Sequence, residues 1–339
     1  MGSLIAYSGI SAKVKAMERW RITDAQFEQM AALETVPEAV QFLRQFPPYA
    51  AIFAGTEDKE LHRGYIEQKL NQSQYREFTK LYRFAGVKQR KFLDLFFMHY
   101  EIDIIKTCLR NAAGHGQQRQ DLSLFRDFIE GHSRIDLIKL SESRDIEQFI
   151  SSLKDTPYYG ALEELAKNGT PTLPACENAL DMLYFKTIWK KAEGMLSKED
   201  CKILRQCFGT RLDMLNLQWI CRAKKYYRLT PGQIYAMIIP ISLHLTKKEI
   251  NSLVETEDLK QVYGIIRTTW YGKLKEISAE QNLDLERLGT EIIDKVYQIT
   301  GRKNPYSVAV LNSCLHFKER EIKRIITTIE KIRYSVSSS

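Results

Sequence analysis

The chain has little glycine or proline, no long apolar run, and none of the short signatures that mark phosphate-binding or metal-binding proteins. It carries 17 glycines and 9 prolines in 339 residues, short of the roughly 12% that average proteins devote to the two. A sheet-rich chain uses both in its turns, so the shortage disfavours a β-sandwich and points to helices. The phosphate cradle G-x-x-x-x-G-K-[ST], the dinucleotide fingerprint G-x-G-x-x-G and the zinc motif H-E-x-x-H are all missing. The six cysteines, Cys108, Cys176, Cys201, Cys207, Cys221 and Cys314, include no C-x-x-C pair, so they are expected to be reduced, semi-buried thiols of a cytosolic protein. The longest apolar stretch, Ile234 to Leu245, is interrupted by Pro240, Ser242 and His244. A membrane-spanning helix needs about 20 apolar residues, so no crossing is expected. Leu4-Ile5-Ala6 is too short for the apolar region of a signal peptide, and none is expected.

Little suggests catalysis. Ser151-Ser152-Leu153-Lys154 fits S-x-x-K, but its partner motifs S-D-N and K-T-G are absent. Gly114-His115-Gly116 lies in a glutamine-rich stretch and reads as a surface turn. The residues call for no cofactor, no metal and no enzymatic activity. The basic balance, 50 lysines and arginines against 42 acids for a net +8, suits nucleic acid, an anionic membrane face or an acidic protein partner.

The informative feature is internal repetition. Thr246 to Tyr271 aligns without a gap on Ser133 to Tyr158, with identities at Leu253/Leu140, Glu255/Glu142, Asp258/Asp145, Gln261/Gln148, Thr269/Thr156 and Tyr271/Tyr158. Lys15 to Met30 aligns in turn on Arg222 to Met237, with Ala16/Ala223, Arg21/Arg228, Thr23/Thr230, Gln26/Gln233 and Met30/Met237 identical. The matches imply three copies, opening near Ala6, Glu101 and Asp213 and dividing the chain into residues 4–100, 101–212 and 213–334. Each copy is expected to be helical. Thr23-x-x-Gln26 and Thr230-x-x-Gln233 are capping boxes, and Pro231 suits a first helical position. Ile234, Met237, Ile238 and Ile241 recur at helical spacing, as do Ile322, Ile325, Ile326 and Ile329 in a long final helix.

Each copy opens with basic residues: Lys13, Lys15, Arg19 and Arg21 in the first, Lys106 and Arg110 in the second, Arg222, Lys224, Lys225 and Arg228 in the third. In the third they are interleaved with Tyr226 and Tyr227. Such runs serve equally as solvated helix faces or as a binding surface. A helical-repeat protein that holds nucleic acid with this basic and aromatic run is the alternative reading.

Three stretches resemble a known family. They are Ala6-Tyr7-x-x-Ile10-x-x-Lys13-x-Lys15-Ala16-Met17-Glu18 with Ile22-Thr23, then Asp213-Met214-Leu215-Asn216-Leu217-Gln218-Trp219-Ile220-Cys221-Arg222-Ala223-Lys224, and a weaker form, Glu101 through Arg110. The last has Glu101 for the Asp and Ile104 for the Asn. In these features the chain resembles the C subunits of bacterial and archaeal V-type/A-type ATPases, known as d in eukaryotes. The resemblance implies an all-α fold of three pseudo-threefold helical bundles closed into a funnel, without catalytic activity. It implies a monomeric socket, peripheral on the cytoplasmic side of the membrane, that links central stalk proteins of the D and F types to the proteolipid rotor ring. There it would transmit torque for ATP-coupled proton or sodium transport, with no nucleic acid involved. The residues expected to line the socket are Lys13, Lys15, Arg19, Lys106, Arg110, Arg222, Lys224 and Lys225, with Lys15, Arg110 and Arg222 at equivalent places.

Overall fold

A computed structural model describes residues 2–114, 123–167, 169–274 and 284–336. Every regular element among them is helical. The first eleven helices are α1 (Gly2–Glu18), α2 (Asp24–Ala31), α3 (Val36–Leu43), α4 (Pro47–Ala50), α5 (Arg63–Phe84), α6 (Val87–Ala112), α7 (Ser123–Glu130), α8 (Leu137–Glu142), α9 (Ile146–Ser152), α10 (Tyr159–Ala166) and α11 (Leu173–Met195). There follow α12 (Lys198–Arg222), α13 (Pro231–Met237), α14 (Lys247–Glu255), α15 (Leu259–Thr268), α16 (Trp270–Leu274), α17 (Leu285–Lys303) and α18 (Val308–Val336). The chain divides into two compact units, one of residues 1–180 and 310–339, the other of residues 181–309. The expected all-α class holds. His115 and Gly116 lie outside the described residues.

The short helices form where their caps dictate. Thr23 and Thr230 accept from the backbone N–H of Gln26 and Gln233, whose side chains reach back to the cap, as the sequence implies. Thr35 with Glu38 and Thr246 with Glu249 repeat the device. Asp136, Asp145 and Asp258 cap their helices with one carboxylate each. Each such cap satisfies backbone donors that would otherwise cost about 1 kcal/mol.

The same core is built more than once. In the second unit, Met214, Leu217 and Cys221 of α12 pack with Leu253, Val262, Ile266, Tyr271, Leu288 and Ile292. In the first unit, Ile322, Ile325 and Ile329 of α18 pack with Met30, Ala39, Leu43, Tyr49, Ile66 and Leu70. Thr23 and Thr35 stand at the same 12-residue separation as Thr246 and Asp258, and Met30 and Leu253 are buried at the matching place between them. Thr23, which the sequence aligns with Thr230, therefore matches Thr246 by what its helix packs against.

A buried tyrosine marks each repeat. Tyr271 donates to Asp213 Oδ2 at 2.8 Å, Tyr158 to Glu101 and Tyr49 to Glu321 Oε2 at 2.8 Å. All three rings are at most 1% exposed. Glu101 lies on α6 and Asp213 on α12. The acid that serves Tyr49 sits instead on α18, near the other end of the chain. The N–H of Ile22, just before the Thr23 cap, donates to Glu321 Oε1 at 2.7 Å. The N–H of Leu245, just before the Thr246 cap, donates to Asp213 in the same way. The six cysteines are unbridged, and all are buried rather than half-buried.

Two outcomes test this arrangement. Tyr271→Phe removes one hydrogen bond to a buried carboxylate and should cost about 1–2 kcal/mol, whereas Asp213→Ala orphans several buried donors and should cost about 3 kcal/mol or more. Denaturant unfolding reads both. Burial raises the pKa of Asp213 and of Glu101 despite the hydrogen bonds that each accepts. The native state therefore holds these protons to higher pH than the unfolded chain does. Their contribution to stability falls as pH rises from the ordinary carboxylate range through the raised native value. Urea unfolding across the acid range should show that slope, and Asp213→Asn should flatten it.

Candidate partner-binding surface

The sequence-selected cations lie in both units and engage different partners. In the first unit Lys13 Nζ lies 5.3 Å from the Phe84 ring centre and the Arg19 guanidinium 4.8 Å from that of Trp20. Lys15 is exposed on the last turn of α1. Lys106 and Arg110, one turn apart on α6, line a polar pocket of about 260 Å³ with Glu67, Asn71, Gln74 and Asp103. Arg110 Nε meets Glu177 Oε1 at 2.7 Å, on the first turns of α11.

In the second unit Arg222 pairs with Glu286, on the first turn of α17. The two arginines make similar ion pairs, each joining an acid-bearing helix (α6 or α12) to the first turns of a long helix (α11 or α17). Lys15 does not share that geometry. The matching ion pair around α18 is Glu330 with Arg63 Nη1 at 3.7 Å, Arg63 opening α5. Its polarity is reversed: the acid is on the final helix and the base on the long one. Arg333 also donates to Glu330, at 3.2 Å.

Lys224 turns inward. Its Nζ donates to the carbonyls of Val254 at 2.6 Å and Thr256 at 2.7 Å, closing the C-terminus of α14. Burial lowers its pKa, and the helix-end carbonyls are a natural seat for the charge. Lys225 points outward, with Nζ 5.0 Å from the Tyr226 ring centre. Arg222, Lys225, Tyr226, Leu259 and Tyr263 line a cleft of about 480 Å³.

Sequence reasoning missed two features. α12 ends in a π-helical turn, Ala223–Tyr227, closed by Arg228 in the left-handed conformation at φ 48°. No residue pattern announces an i→i+5 turn, although the Lys-Lys-Tyr-Tyr run gives its exposed chemistry. The other is a buried charge network on α18. Lys318 Nζ lies 3.0 Å from Glu77 Oε1 and 3.5 Å from Glu321 Oε2, and donates to Tyr49 Oη at 3.0 Å. A lysine beside an apolar stripe reads from sequence as part of the solvated face. Asn216 brackets Ile239 with two hydrogen bonds, 2.9 and 3.0 Å. Ile104, at the corresponding place on α6, is buried and apolar, so this second polar clamp belongs to α12.

Among the described residues no group of His, Cys, Asp and Glu could hold a metal ion. No helix among them is long and apolar enough to cross a membrane. Comparison with known proteins gives a match to the family described as ATP synthase (C/AC39) subunit over residues 10–339. Curated relatives named as C subunits of A-type ATP synthases include that of Methanosphaera stadtmanae, 26% identical over 94% of this chain and 82% of the relative. Those of Methanothermobacter thermautotrophicus and Thermococcus kodakarensis are each 23% identical, covering 95% and 96% of this chain and 83% and 86% of their own.

The geometry separates the two neighbouring cations. Both members of the Arg222–Glu286 pair are more than half exposed, so Arg222→Ala should change stability by less than about 1 kcal/mol. Lys224→Ala strips α14 of its terminal cation and should cost about 1–2 kcal/mol. Thermal melts of the two variants check the order.

Proposed function

This chain belongs to the ATP synthase (C/AC39) subunit family, and on that footing we propose how it works within an A/V-type rotary ATPase. Its place in the complex is structural and non-catalytic. The single observation that carries the reading is the match across residues 10–339, joined by an all-helical fold whose buried acid–tyrosine clamp recurs three times.

In this proposal the chain comprises three helical modules. Each combines an acid-bearing helix, two short capped helices, a buried tyrosine and a long helix. The division at residues 4–100, 101–212 and 213–334 then changes at its end: α18, which lies within the third stretch, completes the first module. The chain lies on the cytoplasmic side of the membrane, where it receives the central stalk, with proteins of the D and F types, and rests on the proteolipid ring. Its work is to pass torque between stalk and ring during ATP-coupled proton or sodium transport. Densely packed helical modules suit that task because protein interiors compress little. The exposed Lys15, Arg19, Arg110, Arg222 and Lys225 and the half-buried Lys13 and Lys106 are its contact candidates. Lys224 contributes by holding α14 in place. The family assignment displaces the nucleic-acid alternative.

Affinity purification of the chain under gentle detergent tests the proposal. Recovery of nucleotide-binding subunits together with a small membrane proteolipid is the expected result. Recovery of neither, or ATP hydrolysis by the isolated chain, would overturn it.

A further inference from the structure

The end of α12 differs from the corresponding ends of α6 and α18. After Arg222 the helix widens into the π-turn Ala223–Tyr227, and Arg228 takes φ 48°. Arg228 is the one non-glycine residue at positive φ among the described residues. A π-turn adds a residue to the helical register, and a left-handed arginine costs conformational energy that glycine would avoid. Together they push four consecutive side chains into solvent. Tyr226 is 66% exposed and Tyr227 71%, and Lys225 and Arg228 flank them, also exposed. Among the described residues neither of these two cations meets a carboxylate: Lys225 lies over the Tyr226 ring, and Arg228 forms no ion pair. Counted from Arg110, the equivalent of Arg222, the matching stretch of α6 begins Ala113-Gly114, neither a cation nor an aromatic residue, and its other two positions lie outside the described residues. In α18 the matching stretch is Arg333-Tyr334-Ser335-Val336: Tyr334 is exposed, but Arg333 is tied to Glu330 and to the Leu61 carbonyl, and no second ring or second cation follows.

We infer that the π-turn of α12 is a docking lip for a carboxylate-bearing segment of a protein partner, gripped by Tyr226 and Tyr227 between Lys225 and Arg228. Charge complementarity selects that partner, because two cations stand beside aromatic faces unpaired with any carboxylate among the described residues, while Glu286 in the neighbouring cleft is already taken by Arg222. Tyrosine and arginine are also the residues that dominate protein–protein contacts, since they bury much surface with few rotamers. The cleft of about 480 Å³ beside the lip, walled by Leu259 and Tyr263, is large enough to take an apolar side chain from the same segment. The inference rests on the rotary-ATPase reading and deepens it. A lip present on only one of three similar acid-bearing helices gives a repeated scaffold one distinct contact, so a partner can seat in a single orientation.

The test uses the full chain, purified central stalk proteins, anionic phosphatidylglycerol vesicles and single-stranded RNA. The variants are Tyr226→Ala with Tyr227→Ala, and Lys225→Glu with Arg228→Gly. Arg228→Gly suits the left-handed conformation, so the second pair retains the fold, and melting temperature verifies both. Each pair should weaken stalk binding at least tenfold, with the charge-changing pair also flattening its salt dependence. Unchanged stalk affinity in both folded variants would overturn the lip while leaving the rotary reading intact. Loss of vesicle or RNA binding in place of stalk binding would overturn it too, assigning the lip to lipid or nucleic acid. A wild-type chain that binds no stalk protein would overturn the rotary reading and the lip with it.

Discussion

A buried carboxylate held by a tyrosine hydroxyl organises each repeat. Moving a carboxylate out of water costs several kcal/mol unless hydrogen bonds replace its hydration. Asp213 recovers them from the N–H groups of Leu243, His244 and Leu245 and from the Tyr271 hydroxyl. Those donors lie on the segment entering α14 and on α16, which follows α15. One acid on α12 thereby fixes both ends of the capped-helix pair. An apolar residue at position 213 would let the entering loop slide, because no backbone pairing of its own defines its register. Glu101 performs the same task with the Ser133 and Tyr158 hydroxyls. The loop before α8 is thus tied by a side chain where the loop before α14 is tied by backbone.

The Glu321 clamp is built differently, and its position explains why. Its acid comes from α18, some 270 residues along the chain from Tyr49, so loop-closure entropy opposes the contact more than it opposes the local ones. Lys318, 2% exposed, adds a cation placed between Glu321 and Glu77 that offsets part of their charge. The reversed ion pair acts in the same direction. Glu330 on α18 attracts Arg63 of α5, whereas the acids that open α11 and α17, Glu177 and Glu286, would repel it. Such like-charge rejection is a means of specifying which of several similar helices belong together. The helix whose partner is furthest away in sequence carries the charge pattern least compatible with the alternatives.

How much of this is legible in the residues depends on the range of each interaction. Caps are local: Thr23 with Gln26 and Thr246 with Glu249 need only a four-residue window. The match between Ser133–Tyr158 and Thr246–Tyr271 is visible because both copies keep the same loop lengths. Tyr49 escapes the alignment, since Pro48 adds one residue before it and the acid it needs lies outside any window that includes it. The equivalence of Arg110 and Arg222 is legible from their place on aligned helices. Charge alone groups Lys15 with them, while the corresponding position, Glu330, has the opposite sign. Charge alone also does not separate Lys224 from Lys225. They are neighbours in sequence, but the widened turn sends one to the carbonyls of α14 and the other to solvent.

Conservation of geometry and conservation of chemistry thus part company across the repeats. The buried positions keep size and apolar character: Met30, Leu140 and Leu253 correspond, as do Leu43, Leu153 and Ile266. Dense packing leaves little freedom there, since a change of even one methylene is felt. The helix ends are free of that constraint. There the three acid-bearing helices diverge, into a glycine-terminated end at Gly114, a tied arginine at Arg333 and an open basic–aromatic turn at residues 225–228. A protein that couples two moving parts needs both properties. Stiffness has to be repeated, because every module shares the strain. Recognition has to be local, because a partner that met identical contacts on every module would have no preferred seat. The π-turn meets the second need while the α12 core keeps the packing pattern of its relatives, since the extra residue enters only after Cys221, the last apolar position that α12 shares with α18.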